Sequence, residues 1–192
     1  MAVLPEVSIG GSGIMRNTRR VGPGFYPLLF IVALLTFALH EGAHWLAGIA
    51  LGHDMVVSLN GSHATTSVPA LDAMLISAAG PVVTLIQGIL ALSLVLMRKS
   101  LTAYALLFFA AFMRLMAAGV SLLNPNDEAR ISLYFGMGPW ILPLAIVAVL
   151  GVMTVIGSRH LRLSWQTHAL AWLTASVAVS AIVGLDMVLT QG

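Results

Sequence analysis

Cysteine is absent from these 192 residues, and charge is scarce: Asp, Glu, Lys and Arg together make up 8%. The first absence excludes a disulfide-stapled secreted scaffold. The second excludes a cytosolic globule, which needs far more polar surface, and a disordered chain, which needs low hydrophobicity and high charge. No sign of charge dominates either. Nine Lys and Arg against seven Asp and Glu give a formal +2. The arginines fall in short connecting segments rather than on a basic face, so no nucleic-acid partner is expected. No internal repeat is visible, which removes the inverted-repeat signal that many secondary transporters carry. What is abundant is apolar: 59% of residues are hydrophobic and mean hydropathy is +0.97. Such a chain has the lipid bilayer as its solvent.

Five apolar runs, at about 25–51, 71–97, 101–123, 137–157 and 165–189, each approach the roughly 20 residues that cross a bilayer core. They predict an all-α integral membrane protein of five transmembrane helices. Residues 1–24 read as a flexible glycine-rich tail carrying Arg16, Arg19 and Arg20. Residues 25–130 read as a three-helix core and 131–192 as two additional helices. The first run outlasts a signal h-region and contains Glu41, so it is read as a permanent helix. Arg16, Arg19, Arg20, Arg98, Lys99, Arg159 and Arg162 fall on one side, against Asp54, Asp127, Glu128 and Arg130 on the other. That bias puts the tail in the cytoplasm, and a prokaryotic cytoplasmic membrane is the simplest location. Between helices 1 and 2, residues 55–68 read as a β-hairpin turning at Asn60-Gly61, a pair suited to positive φ angles; the alternative is an irregular polar loop.

Within the first run stands His40-Glu41-Gly42-Ala43-His44. Residues four apart share a helix face, so both imidazoles can address one metal ion, with Glu41 bordering that face. Zinc suits neutral imidazole nitrogens, and a water in its open position becomes acidic enough for Glu41 to deprotonate. The competing explanation is a hydrogen-bonded cluster inside the bundle. Ionisable groups are costly inside a bilayer, which favours the functional one. A di-iron desaturase is excluded, since its HxxHH boxes are missing.

A mononuclear zinc site needs a third protein ligand. Asn124-Pro125-Asn126-Asp127-Glu128 supplies it: Pro125 ends helix 3, and a carboxylate can then turn towards the bundle, Asp127 first and Glu128 in reserve. The alternative is an Asn-Pro turn followed by solvated acids. His40 and His44 lie roughly 10 to 16 Å below the end of helix 1, and Gly80 falls at a similar depth in helix 2. Asp127 reaches that level only through tilt, a re-entrant link or a thinned mouth. Arg114 in helix 3 is read as a buried pair or a cavity-facing charge, and Asp186 as interfacial. His63 is read as an exposed loop residue. Gly48 and Gly52 read as a small-residue pair for helix packing.

His40-Glu41-Gly42-Ala43-His44, then Ala79-Gly80-Pro81, then Asn124-Pro125 with Asp127, on three successive helices, resemble the site-2 protease family of intramembrane metalloproteases. The resemblance spans roughly residues 36 to 130. It implies one Zn2+ per chain held by His40, His44 and Asp127, with Glu41 as catalytic base. It also implies Asn124 as a partner of substrate or aspartate, Gly80 and Pro81 shaping the neighbouring helix at the substrate site, and a β element to which an unwound substrate strand adds. The sequence departs from the family in placing Asp127 soon after the Asn-Pro pair and following it with Glu128. The expected activity is zinc-dependent intramembrane endopeptidase, with the transmembrane segment of a single-pass or other membrane protein as substrate. Two other classes stay open: a non-catalytic membrane scaffold or regulator retaining the metal site, and a metal-ion transporter.

Overall fold

The computed structural model describes residues 20–191; most of the expected tail, with Arg16 and Arg19, lies outside the described residues. Along the chain run α1 (Phe25–Ala50), β1 (Met55–Val57), β2 (Ser62–Ala64), α2 (Ala70–Arg98), α3 (Leu101–Val120), α4 (Asp127–Tyr134), α5 (Ile141–Leu161) and α6 (Trp165–Gln191). Five of these helices, all but α4, are long and apolar enough to cross a membrane. The chain is a multi-pass membrane protein with a short antiparallel hairpin between its first two helices.

The centre of the bundle is α3, which touches α1, α2, α5 and α6. Of its spanning window 61% is buried, against 17% for α6. Tyr104, Phe108, Phe109 and Phe112 of α3 pack on Phe25, Leu29, Ala33 and Phe37 of α1 and on Ala171, Ala175 and Ala178 of α6. Leu, Ile and Val side chains cover the outer faces of α2, α5 and α6, the surface that lipid tails require. The helix ends sort by charge. Left-handed caps at Lys99 (φ 51°) and Arg162 (φ 55°) close α2 and α5 at the end shared with Arg20, Arg98 and Arg159. The hairpin and the α3–α4 turn form the opposite end.

Three local expectations are corrected. The eight-residue α4 replaces what reads as a loop, and α3 stops at Val120. The Asn126 side chain caps α4 by accepting from the Ala129 amide at 2.9 Å, and Asp127 and Glu128 occupy its first turn, where carboxylates complement the helix dipole. This α4 packs against α2 and α5, so the chain turns back at the end of α3 and brings Asp127 to the histidines of α1. In the hairpin, Val57 pairs with Ser62 and the Ser58 amide donates to the Gly61 carbonyl at 2.8 Å. The turn therefore centres on Leu59-Asn60 rather than Asn60-Gly61, and neither Asn60 nor Gly61 has positive φ. Finally, Gly48 faces strand β1 instead of another helix: a Cβ there would overlap the Met55 side chain. Gly52, at φ 86°, makes the turn that ends α1.

Candidate metal centre

His40 and His44, one turn apart on α1, meet Asp127 from the first turn of α4. The His40 and His44 Nε2 atoms lie 3.2 Å apart. Asp127 Oδ2 stands 3.1 Å from the first and 3.3 Å from the second. A tetrahedral ion bonded at about 2.0–2.1 Å holds its ligand atoms about 3.3–3.4 Å apart, so this triangle has the size that a small tetrahedral metal ion needs. The group His40, His44 and Asp127 can hold a metal ion.

The far side of each imidazole fixes its tautomer. His44 Nδ1 donates to the Ile76 carbonyl at 2.6 Å, and His40 Nδ1 meets Thr84 Oγ1 at 3.0 Å. The Thr84 hydroxyl gives its own proton to the Gly80 carbonyl at 3.0 Å, so towards His40 it accepts. Both neutral rings therefore carry hydrogen on Nδ1 and turn Nε2 acceptors towards each other and towards Asp127, and the His40 one takes the Arg114 Nη2–H at 3.2 Å. Three acceptors converging in a buried place call for positive charge, which Arg114 supplies in part and a metal ion would complete.

Ile76, Gly80 and Thr84 are spaced by four along α2 and form one row of that helix, fronting the row of His40 and His44 on α1. Gly80 makes the approach possible, since a Cβ there would overlap both imidazole rings. Below the site, Gln87 Nε2 donates to Thr36 Oγ1 at 3.0 Å and to the Leu106 carbonyl at 3.1 Å, tying α1, α2 and α3 together.

A cavity of about 490 Å³ opens onto the centre. Glu41, 7% exposed, lines it together with His40, His44 and Asp127, while Phe37, Met113, Val179 and Val183 form apolar walls. Hairpin residues Asn60 to His63 form its rim. The hairpin tip is tied to α6, because the Leu59 amide donates to Asp186 Oδ1 at 2.8 Å. Asp186 is thus an anchor for the hairpin, a role that its position in the sequence does not disclose. His63 is exposed, as expected, yet borders the cavity.

Arg114 reaches the same place from α3. Its side chain is 3% exposed, with Nη1 3.0 Å from Glu128 Oε1 and Nη2 3.2 Å from His40 Nε2. Glu128 also accepts from Asn126 Nδ2 at 2.8 Å. The two acids of α4 therefore differ: Asp127 faces the histidines and stands 3.6 Å from Arg114 Nη1, and Glu128, the reserve ligand, is the closer partner of Arg114 at 3.0 Å. Arg130, on the outer side, pairs with Asp127 Oδ1.

Other expected site residues stand elsewhere. Asn124 is exposed on the α3–α4 turn and does not line the cavity; Asn126, two residues on, lines it and caps α4. Gly80 and Pro81 are buried in α2, Gly80 directly against the two imidazoles. Sequence reasoning missed Thr84 and the Ile76 carbonyl, although their spacing of four from Gly80 was a usable signal. Comparison with protein-family models, with curated proteins and with solved structures gives no match for this chain.

Proposed function

We propose that this chain is a zinc-dependent intramembrane endopeptidase of the site-2 protease type, cleaving transmembrane segments of membrane proteins. The observation that carries the proposal is the convergence of two imidazole nitrogens and a carboxylate oxygen within 3.3 Å of one another, with Glu41 on the wall of the same cavity. A scaffold site has no use for a base beside an open coordination position. When bound, zinc supplies a positive charge that polarises the scissile carbonyl and acidifies a water. Glu41, on the cavity wall, would hold the proton of the attacking water and pass it to the departing amine. His40 and His44, locked at Nδ1 by Thr84 and Ile76, keep their Nε2 lone pairs aimed inward. The apolar walls suit the side chains of an unwound membrane segment, and the hairpin at the rim offers backbone groups to pair with it. In this reading the end bearing Arg20, Arg98, Lys99, Arg159 and Arg162 faces the cytoplasm, and the hairpin and cavity face the opposite side.

The test is Glu41→Gln in reconstituted membranes containing a panel of single-pass segments, with cleavage read by mass spectrometry. Loss of cleavage by about 10²–10⁴-fold with zinc still bound is expected. Full cleavage by the variant rejects the protease, and motif-dependent metal flux into sealed vesicles would replace it with a transporter.

A further inference from the structure

We propose that Arg114 is a second electrophile of this site, its Nη2–H donating to an anionic oxygen held in the cavity beside the metal: the carbonyl oxygen of a peptide as it gains charge, or the carboxylate of a cleavage product. The inference rests on the metalloprotease reading above. A cation buried at bilayer depth needs a reason, and the ion pair with Glu128 explains one arm of the guanidinium only. The other arm, Nη2, reaches His40 Nε2 at 3.2 Å. That nitrogen has a single lone pair, because its ring partner Nδ1 is committed to Thr84. Once the lone pair is given to a metal, the Nη2–H loses its acceptor and remains beside the metal, in a side chain that lines the cavity. Arg114 Nε is also buried without a partner among the described residues. A guanidinium whose Nη2–H is released next to an open coordination position is built to receive an oxygen that carries negative charge. Glu128, itself held by Asn126, fixes the guanidinium so that it need not reorganise when that charge arrives.

The experiment replaces zinc with Co2+, whose visible spectrum reports its ligands, and titrates the purified chain with acetate and separately with neutral imidazole. Arg114→Met is expected to bind acetate about ten- to a hundredfold more weakly than the wild type while keeping its cobalt and its affinity for imidazole. Arg114→Lys, which keeps a charge beside Glu128 but lacks the second arm, covers a Met variant that fails to fold; it should lose acetate affinity by about fivefold or more. Acetate binding equal to the wild type in a cobalt-loaded variant, or equal losses for acetate and imidazole, overturns the assignment. A wild-type chain that takes up neither cobalt nor zinc overturns the metal reading itself, before any anion is added.

Discussion

Gly80→Ala adds one methyl group against the two imidazoles, nearest His44 Nε2. A Cβ on Gly80 would sit 2.7 Å from His40 Nδ1 and would overlap the His44 ring, where ordinary contact begins near about 3.4 Å. Relief requires His40 to retreat by more than about 0.7 Å, since its Cε1 stands closer still to that Cβ, against a tolerance of about 0.2 Å in a metal–ligand bond. His44 has no free retreat, because its Nδ1 is bonded at 2.6 Å to the Ile76 carbonyl, one turn away on the same helix as Gly80. Either the rings turn and the donor triangle opens, or α1 and α2 separate at an overpacking cost of about 1–3 kcal/mol. That cost equals or exceeds the gain of about 1 kcal/mol that Gly→Ala brings to a helix interior. Zinc affinity should fall by about ten- to a hundredfold, the usual consequence of disturbing the groups that orient metal ligands. Competition with a chromogenic chelator in detergent measures it. Gly119→Ala is the control, since a Cβ there meets nothing within 4 Å. Wild-type zinc affinity in Gly80→Ala would refute the packing argument.

Thr84→Val keeps the volume near His40 but removes the acceptor for its Nδ1–H, so zinc affinity should drop by about tenfold or more in the same competition assay. Glu128→Gln removes the nearer of the two carboxylates beside Arg114 and leaves Asp127 Oδ2, 3.6 Å from Nη1, as its only acid. Thermal unfolding should show a loss of about 1–3 kcal/mol, while elemental analysis of the folded protein still finds zinc. Asp186→Ala takes the acceptor from the Leu59 amide; hydrogen exchange at Leu59 should quicken by about fivefold or more with zinc retained, the mark of local opening at the hairpin tip.

The five spans are legible in the sequence because the bilayer sets their length and the apolar runs have no other use. The paired histidines are legible because a helix repeats its face every four residues. Asp127 against Glu128 is a different matter. Adjacent residues on a helix point about 100° apart, and which one meets the histidines depends on how α4 packs on α2 and α5, a tertiary fact. The helix itself was announced by Asn126 and the two acids after it, a cap signal that the Asn-Pro break obscured. At the hairpin, Asn60-Gly61 suggests the turn, but pairing of Val57 with Ser62 shifts it by one residue to Leu59-Asn60. Gly48 looks like a helix-packing glycine because the chain gives no hint that Met55 folds back over it. Arg114 and Asp186 were visible as charges, yet their partners lie 14 and 127 residues away, beyond any local pattern.

The most direct test of the central claim is the metal content of the detergent-purified chain, prepared free of chelator and of carried-over metal, beside His44→Ala, Asp127→Ala and Glu41→Gln. The account predicts about one zinc per chain in the wild type and in Glu41→Gln, and none in the two ligand variants. No metal in the wild type after zinc is supplied, or full zinc in Asp127→Ala, would contradict it.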